Sequence, residues 1–281
     1  MEDKMSVFID KSTRVLIQGI TTTEGRQQTS LMLEYKTEVV AGVTPGRYGQ
    51  EVMGVPVYDK VSEAVKRHNI DLSAIFVPKN AVLDAAIEAI NEKIPVLVII
   101  TGDIPVTETI KIKKLAAKNG ISVIGPGSAG ILIPEKSKVG IISNEYVSSG
   151  EVGIISRSKE NEKRICQSLY KEEVGVSTIV SLGGDNIIGT GFVEILKMLE
   201  DDEDTQVVVI GGETKGRLEE DAARYIQESG YSKPVIAYIF KKEPDNGMAA
   251  EKEKMFREAG VTVVDDIWEI GQIISEATIE E

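Results

Sequence analysis

A two-domain α/β protein is predicted by three features of the sequence. Short β-branched runs alternate with amphipathic stretches, several of those runs are apolar on both faces, and the alternation stops once and then restarts. The length agrees, because 281 residues exceed the roughly 100–200 that one domain needs. Val96-Leu97-Val98-Ile99-Ile100 shows the doubly apolar character, which belongs to the centre of a parallel sheet covered by helices on both sides.

In the first half, residues 14–18, 38–43, 74–77, 96–101 and 121–124 read as strands, with helices at 26–35, 62–68, 81–91 and 107–118 between them. Residues 125–150 break the rhythm with Gly, Pro and Ser and read as a connection carrying a short hairpin. Strands then return at 152–155, 177–181, 206–210, 234–239 and 261–264, with helices at 160–170, 191–199, 218–229, 249–259 and 267–276. The domains are placed at 1–145, including the hairpin, and 146–281. The acidic run 200–205 reads as a solvated turn. Trp268 with the Ile267, Ile270, Ile273 and Ile274 stripe has helical spacing and is expected to dock the last helix.

Composition excludes several functions. A formal net charge of −13 argues against general nucleic-acid binding, which needs a basic face, although a local basic pocket can persist in an acidic protein. No apolar run nears the roughly 20 residues that span a bilayer, and Met1-Glu2-Asp3-Lys4 does not open like a secretion signal, so a cytoplasmic protein without membrane partners is expected. The one cysteine, Cys166, sits beside Ile165 and Leu169 and reads as core packing; no Cys/His cluster has metal-ligand spacing. Ser128 in Gly127-Ser128-Ala129-Gly130 resembles a nucleophile turn, but a chain with a single histidine offers no serine-hydrolase base. That histidine, His68, is expected at a helix end, against the last carbonyls.

Ligands of open α/β sheets gather at the carboxyl ends of strands. The first strand runs into Gly19-Ile20-Thr21-Thr22-Thr23-Glu24-Gly25, where glycines permit close approach and threonines stand at a helix N-terminus, a workable anion cradle. Glu24 opposes a phosphate if it points inward. The second strand ends in Gly42-Val43-Thr44-Pro45-Gly46-Arg47, whose arginine can clamp a phosphate, and a later one ends in Thr101-Gly102-Asp103.

Taken in order, Gly19–Gly25, AGVTPGR (41–47), ITGDIP (100–105), IGPGSAG (124–130), GIISRSK (153–159) and LGGD (182–185) resemble the α subunit of succinyl-CoA synthetase over nearly the whole chain. The resemblance implies a Rossmann-like, coenzyme A-binding first domain followed by a flavodoxin-like doubly wound domain. It implies that Thr21, Thr22, Thr23 and Glu24 cradle a phosphate-bearing part of coenzyme A, that Arg47 replaces the family's lysine, and that Thr101, Gly102 and Asp103 line the crevice. It further implies a β-type partner with an ATP-grasp domain that binds nucleotide, and a small carboxylic acid or acyl-CoA as substrate.

Two departures accompany it. The family relays a phosphoryl group through a histidine in a GHAGA loop, whereas residues 238–249, YIFKKEPDNGMA, are shorter and contain no histidine. The family's SRSG turn is here Ser156-Arg157-Ser158-Lys159, followed by Glu160 and Glu162, carboxylates that compete for the helix N–H groups a phosphate would use. Glu213 stands near the glutamate that orients the family's histidine and otherwise reads as a helix-start carboxylate. Three readings follow: an α-type coenzyme A-binding subunit without the relay, acyl transfer to coenzyme A directly from a partner's acyl phosphate, and a non-catalytic regulatory or scaffold paralogue.

Overall fold

Val15, Leu16, Ile17 and Gln18 are all buried, as a strand covered on both faces requires, and they form the middle of β1 (Arg14–Gln18). The computed structural model describes residues 9–241 and 247–279. The described chain forms two compact units, one running to Ile142 and including 183–190, the other comprising 143–182 and the chain from Gly191 onward.

In the first unit β1 is followed by α1 (Thr23–Glu34), β2 (Glu38–Val43), β3 (Glu51–Val52), β4 (Val55–Tyr58), α2 (Val61–Ala64), β5 (Leu72–Ile75), α3 (Val82–Asn91), β6 (Val96–Ile99), α4 (Val106–Lys118) and β7 (Ser122–Ile124). The strand order is β3-β4-β2-β1-β5-β6-β7, parallel throughout except for the β3–β4 pair. Chain connections leave β1 in both directions, so the loops after β1 and β5 diverge at the carboxyl edge and open a crevice there. Leu16, Ile75, Leu97 and Ile99 belong to one buried cluster that also takes Ala86, Ala89 and Ile90 of α3. Each fully buried aliphatic side chain contributes about 1.5–3 kcal/mol. An antiparallel hairpin, β8 (Gly130–Ile133) and β9 (Ser137–Gly140), is tied to the α1–β2 connection where the Thr37 hydroxyl donates to the Lys138 carbonyl at 2.7 Å.

The second unit runs β10 (Ser149–Ser156), α5 (Lys159–Lys171), β11 (Val176–Ser181), α6 (Phe192–Glu200), β12 (Val207–Glu213), α7 (Leu218–Ser229), β13 (Val235–Phe240), α8 (Met248–Glu258), β14 (Thr262–Val263) and α9 (Glu269–Ile279). Its parallel strands follow the order β14-β13-β12-β10-β11. Both units are therefore doubly wound α/β, the first in Rossmann order and the second in flavodoxin order.

Several expectations need correction. The β3–β4 hairpin is absent from the predicted elements, because Val55-Pro56-Val57-Tyr58 is short and carries a proline. The helix expected at 62–68 ends at Ala64, and His68 turns its ring to the Tyr58 hydroxyl at 2.8 Å, not to helix carbonyls. Trp268 precedes α9 and is 45% exposed, while Ile267, Ile270 and Ile274 are buried and do the docking. Cys166 is buried, as packing requires.

Gly19 leaves β1 at φ +83°, and a Cβ there would stand 3.0 Å from the Phe76 carbonyl carbon and oxygen. A Gly19→Ala variant is expected to lose roughly 1–3 kcal/mol of stability, which chemical denaturation would read as a lower midpoint; an unchanged midpoint would contradict the tight approach.

Candidate functional site

Four loops at the carboxyl edge of the first sheet touch one another in sequence. The Thr21 hydroxyl donates to Thr44 Oγ1 at 3.1 Å, which joins the β1–α1 turn to the loop after β2. On the other side Gly19 lies against Phe76 and Val77 after β5, and Thr101 Oγ1 donates to the Val77 carbonyl at 2.6 Å, bringing in the loop after β6. That last loop meets 183–190, where Asp185 Oδ1 accepts from the Asp103 N–H at 3.2 Å. The edge is thus continuous from Thr44 to Asp185.

Each predicted residue has a distinct place on it. Thr22 caps α1: its hydroxyl donates to the Gly19 carbonyl at 2.8 Å and accepts the Gly25 N–H at 3.0 Å. The Thr22 side chain is therefore spent on the turn, and the outward donors are the N1 and N2 amides of Thr23 and Glu24, which no helix carbonyl reaches. Gly25 cannot be larger, since a Cβ would come within 2.2 Å of the Gly19 carbonyl oxygen. The Glu24 side chain is exposed. Arg47 is exposed on a loop whose Arg47 and Tyr48 N–H groups both donate to Asp59 Oδ1, at 2.8 and 2.9 Å. Asp103 adopts φ +56°, a left-handed turn that holds Gly102 against Gly127, where a Cβ would lie 3.0 Å from the Gly127 Cα. Asp185 was visible in the sequence only as part of LGGD; its contact with the Asp103 turn is a long-range pairing that spacing does not reveal.

These groups suit coenzyme A. A 12-residue helix presents its N-terminus over the central strand, Arg47 adds an exposed cation, and Gly19 and Gly25 let the turn close where a Cβ would strike the backbone. Thr21, Thr23, Glu24 and Arg47 would hold the phosphates, and Thr101, Gly102 and Asp103 would line the path of the remaining arm.

The corresponding edge of the second unit is occupied by its own charges. Glu219, in the first turn of α7, has no exposed surface. Its Oε2 receives Lys252 Nζ of α8 at 2.6 Å, and its Oε1 receives the Glu213 N–H at 2.9 Å and Arg157 Nη1 at 3.4 Å. Lys252 also donates to the Glu213 carbonyl at 2.9 Å, and Arg157 to the Lys215 carbonyl at 2.6 Å; both cations are about 2% exposed. Glu213 is the last residue of β12, not a helix-start residue, and acts here through its backbone. Of residues 238–249, which stand in the place of the family's histidine loop by resemblance, 242–246 lie outside the described residues.

At the N-terminus of α5, Ser158 is the cap and accepts the Asn161 N–H. Glu160 is exposed, but Glu162 is buried against Ser181, and desolvation pushes its carboxyl up to about 8, with the Ser181 hydrogen bond and Lys159 pulling the other way.

Comparison with known proteins follows this layout. Residues 10–102 match the family model described as "CoA binding domain", and 149–275 match "Succinyl-CoA ligase like flavodoxin domain". A protein named succinate–CoA ligase [ADP-forming] subunit alpha 2, from Archaeoglobus fulgidus, is 44% identical over 92% of this chain and 88% of its own length. A subunit alpha from Methanothermobacter thermautotrophicus is 40% identical over 94% of each. Among solved structures, ATP citrate lyase from Methanothrix soehngenii, in complex with citrate and coenzyme A, superposes with a TM-score of 0.86 over 99% of this chain at 20% identity. This chain spans about half the length of that protein (52%), and at such identity the likeness establishes the fold.

Fold and family models together define a coenzyme A-binding domain joined to a succinyl-CoA ligase-type flavodoxin domain. The chain belongs to the succinate–CoA ligase alpha-subunit family.

Two outcomes follow from the second unit. Replacing Glu219 by Ala removes the carboxylate that Arg157 and Lys252 share, leaving Lys252 the more distant Glu220 at 3.5 Å, and is expected to cost about 3–5 kcal/mol; a loss under about 1 kcal/mol in urea unfolding would contradict the network. Glu162 keeps its proton in the fold over the interval from its ordinary 4.5 to about 8, where the unfolded chain has lost it. Its contribution is complete below 4.5 and declines as pH rises through about 8, so Glu162→Gln should flatten the fall in stability across that interval. Identical pH profiles for the two proteins would refute the assignment.

Proposed function

We propose that this chain is the coenzyme A-binding, α-type member of an NDP-forming acyl-CoA ligase assembly, and that it works without a phosphohistidine of its own. The observation that carries the reading is the continuous edge of the first unit, where a helix N-terminus, Arg47 and the Thr101-Gly102-Asp103 turn adjoin over neighbouring strands. The absence of a relay rests on the histidine count: His68 is the single histidine of the sequence, and its ring is engaged by Tyr58 of β4 in the first unit. The Glu219 network supports the same conclusion, since two carboxylates, Glu219 and, 3.5 Å from Lys252, Glu220, already balance the two buried cations at the second unit's edge.

When bound, coenzyme A supplies the thiol that accepts the acyl group of an acyl phosphate, the C–S bond forming as the C–O bond to phosphate breaks, with phosphate leaving on its electron pair and the thiol proton passing to solvent. The chain's own residues position rather than react. Thr23 and Glu24 amides and Arg47 fix the phosphates, and the Asp103 turn directs the distal arm. Held in alignment, such a thiol needs little further assistance. The acyl phosphate is made on a partner with an ATP-grasp domain, from a small carboxylic acid and a nucleoside triphosphate. A cytoplasmic setting agrees with these soluble reactants, and among the described residues no helix is long and apolar enough to cross a membrane.

Calorimetric titration of the purified chain with coenzyme A tests the reading. Micromolar affinity is expected, with Arg47→Ala weakening it about ten- to hundredfold through loss of a charge-assisted contact worth about 1.5–3 kcal/mol. No binding by the folded wild-type chain, alone or with an ATP-grasp partner, would move the scaffold reading ahead.

A further inference from the structure

The amino edge of the second sheet, opposite the edge that the Glu219 network closes, holds a hollow of about 570 Å³. It lies between the carboxyl ends of α7 and α8, where the chain turns into β13 and β14. Its floor is apolar, formed by the buried Ile226, Val235 and Val261. Its two sides are helix ends.

Gly230 ends α7 in the left-handed conformation (φ +66°), and its N–H and that of Tyr231 both go to the Ile226 carbonyl. The Ser232 N–H turns away to Glu200 Oε1 at 3.0 Å. The Gln227 and Glu228 carbonyls are thus left beyond the reach of the helix's own donors. In α8 the Met255, Phe256 and Arg257 carbonyls take the N–H groups of Ala259, Gly260 and Val261, and the Glu258 carbonyl is met by the Gln227 side-chain amide at a long 3.5 Å. Two helix dipoles therefore turn their negative ends toward one hollow.

Among the described residues no side-chain cation donates to these carbonyls. The last turn of α7 has no basic residue, and Arg257 of α8 is directed to Glu253 and Asp265, at 3.7 and 3.8 Å. Lys254 stands 3.7 Å from the Glu258 carboxylate, but both side chains are exposed, and such a pair holds its partners weakly. The neighbouring helix shows what an end of this kind accepts. At the carboxyl end of α6, Lys233 Nζ donates to the Leu199 and Asp202 carbonyls, each at 2.5 Å.

We propose that the hollow binds an aliphatic diamine or polyamine, with one ammonium group at each helix end and the methylene chain across the apolar floor. Packed helices stand about 8–10 Å apart, a span that a chain of about five or six methylenes puts between its terminal nitrogens. Other classes of guest fit less well. An anion would face two negative helix ends in a chain of formal net charge −13. A neutral apolar guest would cover the carbonyls without pairing them. The space is far larger than a metal ion, and no group of His, Cys, Asp and Glu that could hold one occurs among the described residues. The proposal is independent of the coenzyme A reading, whose edge lies in the first unit.

Calorimetric titration of the full chain with 1,5-diaminopentane, and with n-pentylamine as the single-ammonium control at equal ionic strength, tests the site. Saturable one-site binding is expected, with the diamine tighter than the monoamine by about tenfold or more, the weight of a second charge-assisted contact. Gln227→Lys puts an internal ammonium beside the Glu258 carbonyl, as Lys233 does for α6, and should weaken the diamine about tenfold, whereas Glu258→Gln should weaken it about threefold. Both positions are exposed, and thermal unfolding at the wild-type temperature confirms that the variants keep the fold. No saturable binding of the diamine, equal affinity for diamine and monoamine, or an unchanged diamine affinity in Gln227→Lys overturns the site. Binding of an oligolysine peptide by a chain that does not bind the free diamine overturns the small-molecule assignment in favour of a basic protein partner.

Discussion

A carboxylate with no exposed surface keeps its charge inside a protein only where cations and N–H groups replace the lost water. Glu219 meets that condition through Lys252, Arg157 and the Glu213 amide, and the requirement organises the carboxyl edge of the second unit. The turn after β10, the end of β12, the first turn of α7 and the middle of α8 are held together by this one group. A phosphate arriving at Arg157 and Lys252 would displace an internal partner that is already in place. With Glu220 3.5 Å from Lys252 as a second carboxylate, the two cations of this edge are balanced by the chain's own side chains.

The first unit uses its carboxyl edge in the opposite way. Thr22 satisfies the tight turn internally, Thr21 and Thr44 lock two loops together, and Asp59 holds the Arg47 loop by its backbone. Those bonds rigidify the edge yet leave the Thr23 and Glu24 amides and the Arg47 side chain facing outward. Rigid loops with outward donors are the arrangement that lowers the entropic cost of holding a long, flexible ligand. The two units thus share a doubly wound plan and differ in whether their own side chains or a ligand complete the edge.

Much of this was legible in the sequence. Central strands such as Val96–Ile99 announce themselves by being apolar on both faces, and Leu218–Ser229 is a helix from its periodicity alone. The loops of the candidate site were legible because glycines mark turns and strand ends mark binding edges. What escaped was set by distant partners. The β4 strand is held by pairing with β2 and not by its own propensity, and His68 finds Tyr58 across a turn that shortens the helix. Glu219 sits in a run of three acidic residues that reads as a solvated helix start; only the fold brings Lys252 to it from 33 residues away. The Thr22 hydroxyl was legible as a helix-start group, but that it closes the cap depends on the position of the Gly19 carbonyl.

Amide hydrogen exchange with and without saturating coenzyme A tests the central claim most directly, because it reports where on the chain the ligand sits. Slowed exchange is predicted at residues 19–25, 44–50 and 101–103, with residues 211–220 unaffected. Protection confined to the second unit, or saturable binding with no protection along the first unit's edge, would contradict the account.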